Sequence, residues 1–162
     1  MQLAIHSDAS YLPFSQAQIQ ARGFNFLSKG PPNPNNPEDF VPTVNVILLV
    51  VCNIMSNIMA SSAEAEYGTI FVIVQPAGHI RITLTEMGRK QGPTDIQVDN
   101  FTTVGIATKE FHQNKSMVME MYLYRINDII EQGTFRVFSK PGPKNLGDYH
   151  SKYYPPDHHI AV

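Results

Sequence analysis

Gln2-Leu3-Ala4-Ile5-His6-Ser7-Asp8-Ala9-Ser10 is the stretch from which the rest of the chain is read. Residues 2–8 alternate, with Leu3 and Ile5 on one side and Ala4, His6 and Asp8 on the other, the period of a β-strand. The run closes on a carboxylate, Asp8. Three more carboxylates stand at the ends of other predicted elements. They are Glu66 in Ala63-Glu64-Ala65-Glu66-Tyr67, Asp99 in Ile96-Gln97-Val98-Asp99-Asn100, and Asp148 in Asn145-Leu146-Gly147-Asp148-Tyr149. Acids remote in sequence but convergent in space have one common use, which is to hold divalent cations for phosphoryl chemistry.

Outward from that first strand, residues 18–28 carry a second strand pattern ending in Gly23-Phe24-Asn25-Phe26-Leu27. Residues 30–43 hold five prolines and several asparagines, the composition of a long surface loop. Residues 44–52 are rich in β-branched side chains and form a third strand, so three consecutive strands predict an antiparallel meander. Ser61 and Glu64 match a capping box. A helix is expected from there to about Val74, a stop near Pro76, and a second helix ending at Gly88. Residues 89–94 are turn-rich, and residues 95–100 alternate as a fourth strand with Ile96 and Val98 inward. A short helix is expected near 103–109. Met119, Leu123, Ile126 and Ile130 recur at helical spacing over 116–132, a helix closed by Gly133 whose methionines read as core. A fifth strand at 135–139, a Pro141-Gly142-Pro143 turn, a last helix at 145–153 and a tail at 154–162 complete one domain over residues 1–162. No internal repeat interrupts it. This order predicts an α/β fold, one mixed sheet with helices on both faces.

A chain of 162 residues with 43% hydrophobic and 16% charged residues has the makings of one globular core. The longest apolar run, 46–52, falls far short of the roughly 20 residues that cross a bilayer, so no membrane partner is expected. No basic-then-apolar leader opens the chain, and Cys52 is the single cysteine, read as a small core residue. Both features point to an intracellular setting, cytoplasmic or nuclear, and set aside the glycosylation-like triplets at Asn100 and Asn114. The net charge of −2 speaks against a nucleic-acid partner at first sight. Setting aside the four acids named above leaves 10 acidic residues against 12 Lys and Arg. Arg136, Lys140, Lys144 and Lys152 flank Asp148, a local cationic excess suited either to phosphates or to an ordinary solvated face.

If the first and fourth strands lie side by side and parallel, Asp8 and Asp99 emerge together at the carboxyl end of the sheet, where α/β folds place ligands. Glu66 would come from the first turns of the helix after strand three, and Asp148 from the start of the last helix. Glu64 is the rival of Glu66. Residues two apart on a helix diverge by about 200°, so one of the two faces the site, and the capping role of Glu64 favours Glu66. Clustered carboxylates repel, and cations between them reconcile the charge. Two ions about 4 Å apart would activate the attacking water and stabilise the leaving oxygen. His6 reads as a packing histidine, His150 as an exposed helix residue, and His158 and His159 as part of the tail.

His6-Ser7-Asp8-Ala9-Ser10, Ser61-Ser62-Ala63-Glu64-Ala65-Glu66-Tyr67, Gln97-Val98-Asp99-Asn100 and Asn145-Leu146-Gly147-Asp148-Tyr149-His150-Ser151-Lys152 together resemble the ribonuclease H domain of copia-type (LTR) retrotransposon polyproteins. The resemblance spans nearly the whole chain. It implies a ribonuclease H-like fold with strand order 3-2-1-4-5. It also implies Mg²⁺-dependent endonucleolytic cleavage of the RNA strand of RNA–DNA hybrids, with two Mg²⁺ ions replaceable by Mn²⁺. By position Asp8, Glu66, Asp99 and Asp148 match the family's catalytic, metal-holding acids. Ser10, Ser62 and Asn100 match positions that touch the hybrid, and Lys140 joins them as a phosphate contact. A reverse transcriptase domain in the same polyprotein is an implied partner. Departures are the longer Pro-rich stretch at 30–43, the apolar third strand, the absence of tryptophan, and Met117 where the family commonly has Lys. They bear on substrate affinity more than on chemistry. The loop 139–142 lacks the histidine that cellular ribonucleases H carry before the last acid. Two other readings compete: a catalytically silent structural or assembly module of retroelement descent, and a nuclease of the same fold with another substrate, such as a resolvase or integrase.

Overall fold

The computed structural model describes residues 1–10, 19–29, 42–56, 61–100, 103–105 and 117–139, with only the backbone of 117–119. The expected Pro-rich loop, the last helix and the tail lie outside the described residues. Five strands form one sheet in the order β3-β2-β1-β4-β5. They are β1 (Gln2–Ser10), β2 (Ile19–Ser28), β3 (Val44–Met55), β4 (Thr94–Val98) and β5 (Phe135–Ser139). The meander is as expected: β1–β2 and β2–β3 are antiparallel, whereas β1–β4 and β4–β5 are parallel. Among the described residues two long helices, α1 (Ser62–Glu86) and α2 (Met117–Glu131), lie in the crossovers.

Leu3 and Ile5 of β1, Ile96 and Val98 of β4 and Val137 of β5 point to one face. There they pack on Tyr67, Ile70, Ile73 and Ala77 of α1 and on Leu123, Ile126 and Ile129 of α2. The opposite face carries Ala4, Phe24 and Phe26, also buried. β1 and β4 are inner strands of the sheet, and even their polar residues His6, Asp95 and Gln97 are buried. The alternation in β1 therefore separates two buried faces, not a wet face from a dry one. His6 is the packing residue expected, its ring edge-on to Phe26 with centroids 4.7 Å apart. Burial lowers its pKa to about 4, so the ring is neutral.

Three expectations need correction. The predicted break at Pro76 does not occur, and α1 runs unbroken through it. A proline inside a helix forfeits one backbone hydrogen bond and costs about 3 kcal/mol. Ile73, Val74 and Ala77 are buried on both sides of it, and that burial, at roughly 1.5–3 kcal/mol for each large side chain, outweighs the local cost. Secondly, Cys52 is exposed, not core. Its strand β3 is the sheet's edge, where an apolar sequence does not secure burial. Gln20 Nε2 donates to Cys52 Sγ at 2.9 Å. Thirdly, Met121 of α2 is exposed, not core. Arg136 is half-exposed, with its Nη2 and Nε 2.6 and 2.7 Å from Oδ1 of the buried Asp95.

The approach of α1 to the sheet depends on Gly23. A β-carbon there would stand 2.5 Å from Ile73 Cδ1 and 2.6 Å from Ile73 Cγ1. Gly133 ends α2 with φ +67°, the left-handed conformation that glycine adopts without strain. Among the described residues no helix is long and apolar enough to cross a membrane.

Candidate metal and nucleic-acid site

The register of the parallel pair sets the site. Ala4, Ile5 and His6 lie beside Asp95, Ile96 and Gln97, so Asp8 and Asp99 each follow two residues later at the carboxyl end of neighbouring strands. Asp8 is buried, while Asp99, one residue past β4, is exposed. Its carbonyl accepts a hydrogen bond from Ser139 Oγ at 3.4 Å, which ties the end of β4 to the end of β5.

Glu66 arrives from the first turns of α1. Ser61 caps that helix, its Oγ accepting from the Glu64 backbone N–H at 3.2 Å, as the capping box required. Both Glu64 and Glu66 are buried. It is Glu66 that meets the other acids: its carboxyl shares a hydrogen bond with Asp99 and feels the charges of Asp99 and Asp8. Burial first, then the Asp99 charge, pushes its pKa up to about 8. The Thr103 hydroxyl opposes the rise by donating to Glu66 Oε2 at 2.9 Å. At neutral pH Glu66 thus keeps its proton, because burial and the neighbouring negative charge disfavour its ionised form.

Asp8, Glu66 and Asp99 are therefore brought together from three elements that no local pattern connects. Asp148 and Lys140 lie outside the described residues. Ser10, half-buried, ends β1; Ser62 is exposed at the start of α1; Asn100 is half-buried just after Asp99. All three flank the acids along the chain.

The donor set is all carboxylate oxygen, the chemistry that hard divalent cations select. Among the described residues no group of three His, Cys, Asp or Glu side chains is gathered tightly enough to hold an ion. The direct contact is the Glu66–Asp99 pair, with Asp8 acting on it through space. The raised pKa of Glu66 marks a place where added positive charge would offset burial and the Asp99 charge. The oxygen donor set is of the kind a divalent ion takes, and two of its acids are already in contact.

Two residues escaped the sequence reading. Thr103 falls in the short helix expected near 103–109, and nothing in the sequence singles out its hydroxyl from that of Thr102. Arg22 of β2 lies directly across from Asp8 and is buried, its guanidinium donating to Gln20. Counting residues along the β1–β2 hairpin from a known register would have found Arg22, but the loop length hides that register.

No family model matches the sequence, and no curated protein matches it significantly. Solved structures do match. Ribonuclease H1 LC11, isolated from compost by a metagenomic approach, superposes with a TM-score of 0.64 at 12% identity over 91% of each chain. This chain has the ribonuclease H-like fold. The same enzyme in complex with an RNA/DNA hybrid gives a TM-score of 0.62 at 11% identity, over 91% of this chain and 92% of that one. Prototype foamy virus protease–reverse transcriptase aligns with a TM-score of 0.52 at 13% identity, over 94% of this chain and 21% of the viral one. At such identities the ribonuclease H-like likeness speaks for the fold alone, and the chemistry has to be argued from the side chains.

Proposed function

We propose that this chain is a metal-dependent endonuclease that hydrolyses the RNA strand of RNA–DNA hybrids, a ribonuclease H of retroelement type. The single observation that carries the reading is the convergence of Asp8, Glu66 and Asp99 at the carboxyl end of the sheet, with Glu66 and Asp99 in contact. A scaffold gains nothing from clustered repulsion, which costs stability unless a cation or a proton relieves it. Two bound Mg²⁺ ions would supply an activated water and stabilisation of the leaving oxygen. The protein's part is to hold the acids in register: Asp8 and Asp99 by the parallel β1–β4 pairing, Glu66 by the capped start of α1. Asp148 is assigned as the fourth acid by the motif it belongs to. Ser10, Ser62, Asn100 and Lys140 are assigned to the hybrid's backbone and 2′-hydroxyls. The hybrid complex of the LC11 enzyme and the reverse transcriptase of the foamy virus protein support the substrate class and a polyprotein setting.

The experiment is cleavage of a hybrid labelled on its RNA strand by purified protein with Mg²⁺ or Mn²⁺. The RNA is expected to be cut to products with 3′-hydroxyl ends, and Asp99→Asn to abolish cutting in a protein that still folds. Well-folded wild-type chain that cuts nothing with either ion refutes the reading.

One observation favours the assembly-module reading. β3 is the sheet edge, carries no charged residue over Val44–Met55, and exposes Val46, Ile47, Leu48, Val50 and Ile54. Uncharged edge strands are templates for pairing with another strand. Association through β3 and catalysis at the opposite side of β1 are compatible, and light scattering on the purified chain separates monomer from oligomer.

A further inference from the structure

The acid site has a side chain beyond the four carboxylates, and it rests on the nuclease reading just given. We propose that Thr103 is a positioning residue: its hydroxyl fixes the Glu66 carboxylate in the orientation that receives a divalent cation together with Asp99.

Thr103 is fully buried on the short helical turn that follows Asp99, and its Oγ1 donates to Glu66 Oε2 at 2.9 Å. Threonine in helical segments ordinarily donates to the carbonyl four residues earlier. Thr69, Thr83 and Thr85 of α1 do this, donating to Ala65, His79 and Arg81 at 2.8, 3.0 and 2.8 Å. Thr103, the first residue of its turn, has no helical carbonyl four residues earlier, and its one proton goes to a side chain 37 residues away. When Glu66 ionises, as it must to receive a cation, this bond becomes charge-assisted and about twice as strong as a neutral one. Its consequence is geometric. Once ionised, Glu66 and Asp99 repel and tend to rotate apart. The bond to Oε2 holds the Glu66 carboxylate plane and leaves Oε1 and the remaining lone pair of Oε2 for a cation. Thr103 lies only four residues after Asp99 in the chain, so the tether and the acid that Glu66 faces come from one neighbourhood of the sequence.

The test compares Thr103→Val, which keeps the volume and loses the hydroxyl, with Thr103→Ser, which keeps the hydroxyl, using the full chain. Mn²⁺ affinity is measured by calorimetry without nucleic acid, and hybrid cleavage is resolved into kcat and KM. Thr103→Val is expected to bind Mn²⁺ roughly tenfold more weakly, the range seen when an outer partner of a metal ligand is removed, and to lose kcat with KM unchanged. Thr103→Ser is expected to restore both. If Thr103→Val melts below the assay temperature, Thr103→Ala, which adds no methyl beside the carboxylate, carries the same expectation. Wild-type affinity and kcat in the hydroxyl-less variants overturn the proposal, as does failure of Thr103→Ser to rescue them. A wild-type chain that binds Mn²⁺ in a Thr103-dependent manner but cuts no hybrid refutes the nuclease reading and leaves the positioning role standing. A wild-type chain that binds no Mn²⁺ refutes both.

Discussion

Glu66 titrates in a way that stability measurements can read directly. Its folded pKa of about 8 lies above the 4.5 of a free glutamate, because burial and then the neighbouring Asp99 charge disfavour the ionised form. Between those two pH values the folded chain keeps a proton that the unfolded chain has released, so stability falls as pH rises and levels off above about 8. At about 1.4 kcal/mol for each pH unit the whole interval bounds the effect at roughly 5 kcal/mol. His6 masks part of it. With a pKa lowered from 6.5 to about 4 by burial, it stays neutral when folded and binds a proton when unfolded, so its contribution rises with pH across that interval. The two slopes oppose below pH 6.5, and among the described groups with a shifted pKa only Glu66 changes its charge between about 6.5 and 8. Roughly 2 kcal/mol remains there, and for a chain of this length that is a Tm fall of about 4–8 °C. Thermal melts by circular dichroism in EDTA between pH 5.5 and 9 should show this fall, and Glu66→Gln should remove it. Saturating Mg²⁺ should raise Tm more at pH 8 than at pH 6.5. A wild-type Tm level across the window, or a fall that persists in Glu66→Gln, refutes the reasoning.

Other perturbations have expected outcomes as definite. Gly23→Ala places a methyl against Ile73 and should cost about 1–3 kcal/mol, read as a lower urea midpoint with unchanged m-value. Arg136→Ala strands the buried Asp95 carboxylate, whose pKa burial already raises, and should cost about 1–2 kcal/mol at pH 7 with the loss shrinking in acid, where Asp95 protonates. Val50→Lys puts a charge on the exposed edge strand and should shift any oligomer towards monomer in light scattering without lowering hybrid cleavage. Asp8→Asn should remove cutting while leaving Tm in EDTA unchanged or raised, since one source of repulsion on Glu66 is gone.

Much of this was legible in the residues. The alternation of Leu3 and Ile5 against Ala4, His6 and Asp8 identified a strand, and three successive strand patterns before the first helix implied the meander that the structure contains. The parallel placement of β1 beside β4 was a condition in the residues and an implication of the family resemblance, and with that placement Asp8 and Asp99 follow at neighbouring strand ends. Glu66 over Glu64 came from the capping geometry, a local rule that holds because the helix end must satisfy its own N–H groups. What sequence could not supply depends on tertiary position. Pro76 sits inside α1 because Ile73, Val74 and Ala77 are anchored on the sheet, and no window of local propensity contains that anchor. Cys52 and its apolar neighbours are exposed because β3 is outermost, a fact of strand order that composition contradicts. Thr103 reaches Glu66 across 37 residues, and a hydroxyl carries no pattern by which such a partner is foretold.

The central claim is that Asp8, Glu66 and Asp99 form one cation-binding site. Anomalous diffraction from crystals of the chain soaked in Mn²⁺ tests it most directly. The account predicts a peak within ligand distance of Glu66 and Asp99, on the side of the pair that faces Asp8. Ordered carboxylates with no peak between them, or Mn²⁺ bound only elsewhere on the molecule, would contradict it.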